Sequence, residues 1–184
     1  GAVPMNRLLP TLLCGLIALT LAACGSSPKK TSPKIRSSKS SYSLPKLQPV
    51  RITHIDAASG GQELMLHSMS LIGTPYRYGG NDLSTGFDCS GMVRYVYQNA
   101  LHVQLPRTAR DIAAVSQSIQ PSQLKVGDLV FFNTSGNPYS HMGLYIGNGE
   151  FIHAPSTNGT IRTAKLSSPY FAQRFTDART LFVR

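Results

Sequence analysis

The sequence has no tryptophan, three cysteines and only eight acidic residues against 18 basic ones in 184 positions. Charged side chains make up 14% of it, too few for a coiled coil or a long solvent-exposed helix. No apolar run reaches the roughly 20 residues of a membrane-spanning helix. The longest, Leu8 to Leu21, is interrupted by Pro10, Thr11, Cys14, Gly15 and Thr20. The shortage of acid is local: residues 25–51 hold seven Lys/Arg and no Asp or Glu, whereas 52–184 hold ten basic and eight acidic side chains, 10 − 8 = +2. A nucleic-acid-binding domain carries its basic excess on the fold, so nucleic acid is excluded as a partner. At 41% hydrophobic residues, the chain can build a packed core and is not disordered as a whole.

The first 24 residues read as a secretory leader. Met5-Asn6-Arg7 is a short positive start, and the apolar run after it ends in the small residues Ala22-Ala23. Gly1–Pro4 precede Met5 and read as a cloning remnant. Leu21-Ala22-Ala23-Cys24 has the form of a bacterial lipobox, which makes Cys24 the expected lipidation site and the membrane a partner through that anchor. Gly25 rather than Asp after it fits sorting to an outer membrane, facing the periplasm. Residues 25–51, rich in Ser, Lys, Pro and Thr, lack the apolar surface to repay ordering and read as a basic tether. A coil of about 26 residues reaches roughly 25–30 Å. Residues 52–184 are the expected folded domain, a monomer.

Cysteine counting then isolates Cys89. Cys14 lies in the leader and Cys24 at the anchor, so the domain has one thiol and no internal disulfide. A lone cysteine is ordinarily a small buried hydrophobe. Its neighbourhood, Gly86-Phe87-Asp88-Cys89-Ser90-Gly91, argues otherwise. Met92, Val93, Val96, Tyr97 and Ala100 recur at helical spacing, and Asp88 is a good N-cap, which puts Cys89 in the first turn. There the helix dipole and free N–H groups, helped by a His⁺, lower a thiol pKa from about 8.5 toward roughly 3.5–7.5. The position reads as a nucleophile.

Five histidines could serve it. His54, His67 and His102 sit at the domain entrance or in helical stretches and read as solvated or packed. His141 and His153 flank one hairpin, His141–Ile146 and Glu150–Ala154, around Gly147-Asn148-Gly149. A two-residue Asn-Gly turn pairs Leu144 with His153 and separates the histidines onto opposite faces. A three-residue loop with Gly149 left-handed pairs Gly143 with His153 and brings them onto one face. In that register a thiol, an imidazole and a second ring to orient the first form a triad.

These residues are recognisable together. Gly73-Thr74-Pro75-Tyr76-Arg77-Tyr78-Gly79-Gly80, Phe87-Asp88-Cys89-Ser90-Gly91, Leu105-Pro106-Arg107-Thr108, Val126-Gly127-Asp128-Leu129-Val130-Phe131-Phe132, His141 to Gly147 and Ile152-His153-Ala154 resemble, in order and spacing, the NlpC/P60 family of cell-wall cysteine peptidases. The resemblance runs from about residue 62 to the C-terminus. It implies a papain-like α+β fold with Cys89 as nucleophile, His141 as general base and His153 as the orienting residue. Tyr76 matches a tyrosine whose hydroxyl lies beside the nucleophile and assists the oxyanion, and Asp88 and Ser90 match positions that line the peptide groove. The implied activity is a murein endopeptidase that cleaves peptidoglycan stem peptides through a thioester, with no cofactor. Two features depart from the family pattern: one extra residue between Gly80 and Phe87, and Asp111 where many members carry Gln.

The remaining pattern agrees with α+β. Gln62 to Ile72 is expected as a helix with Leu64, Met65, Met69 and Ile72 inward. Thr108 caps a helix to Val115, with Asp111 closing a partial capping box. Leu129–Phe132, the two hairpin strands, Ile161–Lys165 and Thr180–Val183 are expected to form an antiparallel sheet, helices first and strands after. Three other readings compete: a Zn²⁺ site from Cys89, His141 and His153, which lacks any short ligand spacing; an amidase or acyltransferase on another carbonyl; and a non-catalytic wall-binding lipoprotein.

Overall fold

The computed structural model describes residues 42–156 and 158–184. The expected leader, the lipidation site Cys24 and the tether up to residue 41 lie outside the described residues. Tyr42 to Arg51, assigned to the tether on composition, lie against the fold: Leu44 and Val50 pack on the core, and Val50 N–H donates to the Val115 carbonyl at 2.9 Å. Among the described residues no helix is long and apolar enough to cross a membrane.

The first helix, α1 (Ala57–Met69), begins five residues earlier than its apolar pattern indicates, because Asp56 accepts hydrogen bonds from Ala58 and Ser59 and caps it. Its buried face is Gly60, Gly61, Leu64 and Ser68, while Met69 and Ile72, expected inward, are exposed. The inner face is made of small residues because the helix backbone itself docks. A Cβ on Gly61 would lie 2.1 Å from the Val126 carbonyl oxygen. Hydrophobicity cannot mark a contact that consists of the absence of side chains.

A short hairpin follows, β1 (Asn81–Asp82) with β2 (Gly86–Phe87), its turn held by Asp82 accepting from Ser84 and Thr85. The central helix α2 (Cys89–Leu101) starts where Asp88 caps it and buries Met92, Val93, Val96 and Tyr97, the expected stripe. Helix α3 (Ala109–Val115) is capped by Thr108, whose hydroxyl accepts from Asp111 N–H.

The rest is one six-stranded sheet, antiparallel throughout: β3 (Gln117–Ile119), β4 (Leu129–Phe132), β5 (His141–Gly147), β6 (Glu150–His153), β7 (Arg162–Lys165) and β8 (Phe175–Thr180), in the order β3-β8-β4-β5-β6-β7. The last strand ends where Thr180–Val183 was expected to begin one. In β8, Asp177 and Arg179 pair with each other, and Ser118 and Ser116 complete their bonding, which hides the strand from a polarity reading. Leu181 and Phe182 are core residues beyond it.

Strand β4 is buried on both faces and divides the apolar interior. Leu129 and Phe131 join Leu64, Val96, Tyr97, Met142 and Ile152 in the main core under the helices. Val130 and Phe132 join Phe151, Leu166, Phe175 and Ala178 on the other face, which α4 (Pro169–Arg174) covers with Phe171. The two faces matter because the thiol and the histidines come from different ones.

Candidate active site

Asp88 does more than cap α2. Its Oδ1 accepts from Gly91 N–H at 2.7 Å, and its carboxylate takes both ends of the Arg107 guanidinium, at 3.1 and 2.6 Å. Arg107 also donates to Ser90 Oγ at 2.9 Å. Behind this network the backbones touch: Asp88 N–H donates to the Gly80 carbonyl, and a Cβ on Gly91 would lie 2.0 Å from that oxygen. The helix start is therefore fixed by a capping carboxylate, a bidentate ion pair and a glycine contact, and Cys89 is its first residue.

His141 opens β5 opposite Phe132, and His153 closes β6. Both leave the sheet on the Phe132 side, away from the main core. The register Leu144↔Ile152 puts Gly143 opposite His153, the pairing that shares a face. The device differs from the expected three-residue loop. The turn has two residues, Asn148 and Gly149, both with positive φ (53° and 74°), and the register shifts between Tyr145 and Gly147. A bulge at Ile146 absorbs the extra residue, restoring the alignment that a plain two-residue turn would have lost. The outcome is a contact of 2.8 Å between His141 Nε2 and His153 Nδ1, with the rings 5.1 Å apart and nearly perpendicular.

Cys89 lines the same cleft as this pair, its sulfur beside Met142 N–H at the start of β5. Cys89, His141, His153 and Tyr76 line one cleft of about 470 Å³. Tyr76, Asp88, Cys89 and Ser90 line a second, of about 700 Å³, with Arg107. The two clefts share Tyr76, Cys89 and Ser140. Every site residue singled out in the domain is thus gathered at one place. The remaining histidines are not: His54 bonds the Leu101 carbonyl, and His102 closes α2 in the left-handed region. Among the described residues no three or more His, Cys, Asp or Glu are grouped to hold a metal ion.

One residue escaped the sequence reading. Phe171 lies stacked on His141 at 6.5 Å and edge-on to His153 at 5.2 Å. With Phe132 and Phe151 it makes the histidine surroundings apolar. Its helix carried a signal, Ser168 followed by Pro169 at the first helical position.

This burial corrects the expected thiol pKa. Desolvation, reinforced by the Asp88 charge, pushes Cys89 up to about 11 against the pull of the Met142 and Ser90 N–H groups. Desolvation pushes His141 down to about 4. It lowers His153 to about 3, where the charges of His141 and Arg162 add to it. Both partners favour their neutral forms, so the resting pair is thiol and imidazole and not an ion pair. Iodoacetamide should alkylate Cys89 at pH 6 no faster than an ordinary thiol, the rate climbing only in the alkaline range, as peptide mapping would register. Fast alkylation at pH 6 that disappears in His141→Ala would establish an ion pair instead.

The same shifts set the acid stability. The unfolded histidines titrate near 6.5, the folded ones near 4 and 3. Below about pH 6.5 the unfolded chain therefore binds protons that the native one refuses, and stability is lost as pH falls toward 4 at about 1.4 kcal/mol per pH unit for each such proton. Urea midpoints should decline over this window, and less steeply for His153→Gln. Parallel curves for the two proteins would contradict buried neutral histidines.

The geometry first defines a class: an α+β protein whose cleft joins a helix-start thiol to a hydrogen-bonded pair of histidines on an antiparallel sheet. Comparison then gives the family. The sequence model of the NlpC/P60 family matches residues 73–180, and the chain belongs to that family. It is 44% identical over 114 residues to murein DD-endopeptidase MepH of Escherichia coli (strain K12), covering 60% of this chain and 42% of that protein. It is 41% identical over 110 residues to the probable endopeptidase NlpC of the same strain, covering 59% of this chain and 70% of that one. The solved NlpC/p60 domain of the peptidoglycan hydrolase SagA superposes with a TM-score of 0.57 at 33% identity, covering 65% of this chain and 97% of that chain. The chain thus spans less than half the length of MepH.

Proposed function

We propose that this protein is a peptidoglycan hydrolase, an endopeptidase that cleaves an amide bond in stem peptides through a thioester on Cys89. The observation that carries the reading is the 2.8 Å contact between His141 and His153 on the cleft that Cys89 lines. If His141 Nε2–H donates to His153 Nδ1, the lone pair of His141 lies on Nδ1 and is free to take the thiol proton. The opposite tautomer would leave His141 protonated on Nδ1 and useless as a base there. His153 is then a positioning residue, carrying its own proton on Nε2, a buried atom with no partner among the described residues.

Because both groups rest neutral, proton transfer accompanies attack and does not precede it. His141 takes the proton as sulfur bonds to the carbonyl carbon. The imidazolium then gives it to the leaving amine, and a water molecule hydrolyses the thioester with His141 as base again. The free N–H groups at the start of α2 and the Tyr76 hydroxyl are the candidates to hold the oxyanion. Burial and the neighbouring Cys89 and Asp88 charges hold the Tyr76 pKa above its ordinary value, which keeps it a donor. Asp88 and Ser90 line the second cleft and bind the acyl side of the peptide. Relatives named as murein endopeptidases support the substrate.

The same proposal extends to the chain outside the described residues: a leader ending at the lipobox, lipidation at Cys24, and a basic tether that holds a monomeric domain at the outer membrane within reach of the wall. Incubation of the purified chain with defined muropeptides, with mass spectrometry of the products and Cys89→Ser in parallel, tests the activity. Cleavage in the wild type alone supports it. Equal cleavage in both would exclude the thiol, and binding without cleavage would make the protein a wall-binding lipoprotein.

A further inference from the structure

We infer that Arg162 forms a carboxylate-reading subsite for the leaving fragment of the substrate; this rests on the hydrolase reading above. The direction of the substrate follows from the chemistry. The leaving amine must collect its proton from His141, so the fragment that departs occupies the cleft that His141 lines. That is the 470 Å³ cleft, whereas the larger one contains no histidine.

The two clefts are charged differently. The larger one carries Asp88 and Asp111 with Arg107 and Arg110, and its Asp88–Arg107 pair is already closed. The leaving-side cleft has no carboxylate among its described lining residues, and its one fixed charge is the guanidinium of Arg162. Arg162 begins β7 directly opposite His153, so both side chains leave the same face of the sheet, their Cβ atoms about 5 Å apart. It is exposed, and among the described residues it has no ion-pair partner. Its nearness to the catalytic pair is also felt electrostatically, since its charge helps to lower the His153 pKa. A planar five-donor group on a cleft rim matches a carboxylate bidentately.

Peptidoglycan stems offer that group in two places. In the diaminopimelate–D-alanine crosslink the leaving diaminopimelate carries a carboxylate on the carbon that bears the scissile nitrogen. If the D-glutamyl–diaminopimelate link within a stem is cut instead, the leaving fragment ends in the carboxylate of the terminal D-alanine. Ser156 and the half-exposed Tyr170 line the same cleft as Arg162.

The test is kcat/KM of the full chain on two matched pairs of synthetic muropeptides. In one pair the diaminopimelate carboxylate beside the scissile bond is free or amidated. In the other the terminal D-alanine is free or amidated. A charge-assisted bidentate contact predicts that amidation costs the wild type on the order of 10–100-fold in one of these pairs, and that pair identifies the source of the carboxylate. Arg162→Gln should lose a similar factor on the free acid and far less on the amide, and so show no preference between them. Arg162→Lys should keep part of it. Wild-type cleavage of acid and amide at equal rates in both pairs, or a preference that survives in Arg162→Gln, would overturn the subsite while leaving the hydrolase intact. Cleavage of no substrate by the wild type would overturn the hydrolase reading and the subsite with it.

Discussion

Cys89→Ala and His141→Ala should each lower kcat/KM on a muropeptide by on the order of 10⁴-fold or more, and the double variant should be no worse than either. The non-additivity follows from the shared proton. A neutral thiol that burial holds near pKa 11 is a poor nucleophile without its base, and an imidazole without the thiol has nothing to activate. The folds of the variants should survive, because Cys89 is the first residue of a helix fixed by Asp88, Arg107 and Gly91. Losses that multiply in the double variant would mean that the two residues act independently.

The second large effect belongs to His153. In the proposed mechanism His141 presents Nδ1 to the thiol only while its Nε2–H has an acceptor, and His153 Nδ1, 2.8 Å away, is placed to be that acceptor. His153→Ala should therefore cost on the order of 10²–10⁴-fold, as for other disabled acid–base positioning. His153→Asn should retain measurable activity, because an amide oxygen can still accept. The Asn variant separates this from a packing defect: both substitutions remove the ring, and only Asn restores an acceptor for the His141 N–H. Equal, near-wild-type rates for Ala and Asn would make His153 an ordinary buried residue.

The residues of the site were more legible than the frame around them. Asp88 before an apolar stripe announced both the helix and the placement of Cys89, because capping is a local interaction between neighbours in sequence. The face shared by His141 and His153 was legible only as a choice between two turns. The structure reaches it through a bulge at Ile146, a register device that no residue type announces. The inner face of α1 was misread because Gly60 and Gly61 let the backbone approach, where the pattern suggested Met69 and Ile72. Strand β8 was displaced because Asp177 and Arg179 neutralise each other in place. The thiol pKa was misjudged for a related reason. The helix start and the histidine are local signs of an anion, whereas the desolvation that outweighs them comes from the core that only the fold packs around Cys89.

The central claim is that hydrolysis passes through a thioester on Cys89, and product partitioning in hydroxylamine tests it most directly. A thioester can be intercepted by the added nucleophile, so turnover of a muropeptide should yield the acyl hydroxamate beside the free acid, in a ratio that rises with hydroxylamine concentration, and neither product should appear with Cys89→Ala. Free acid alone at every concentration, or undiminished acid from Cys89→Ala, would contradict the account.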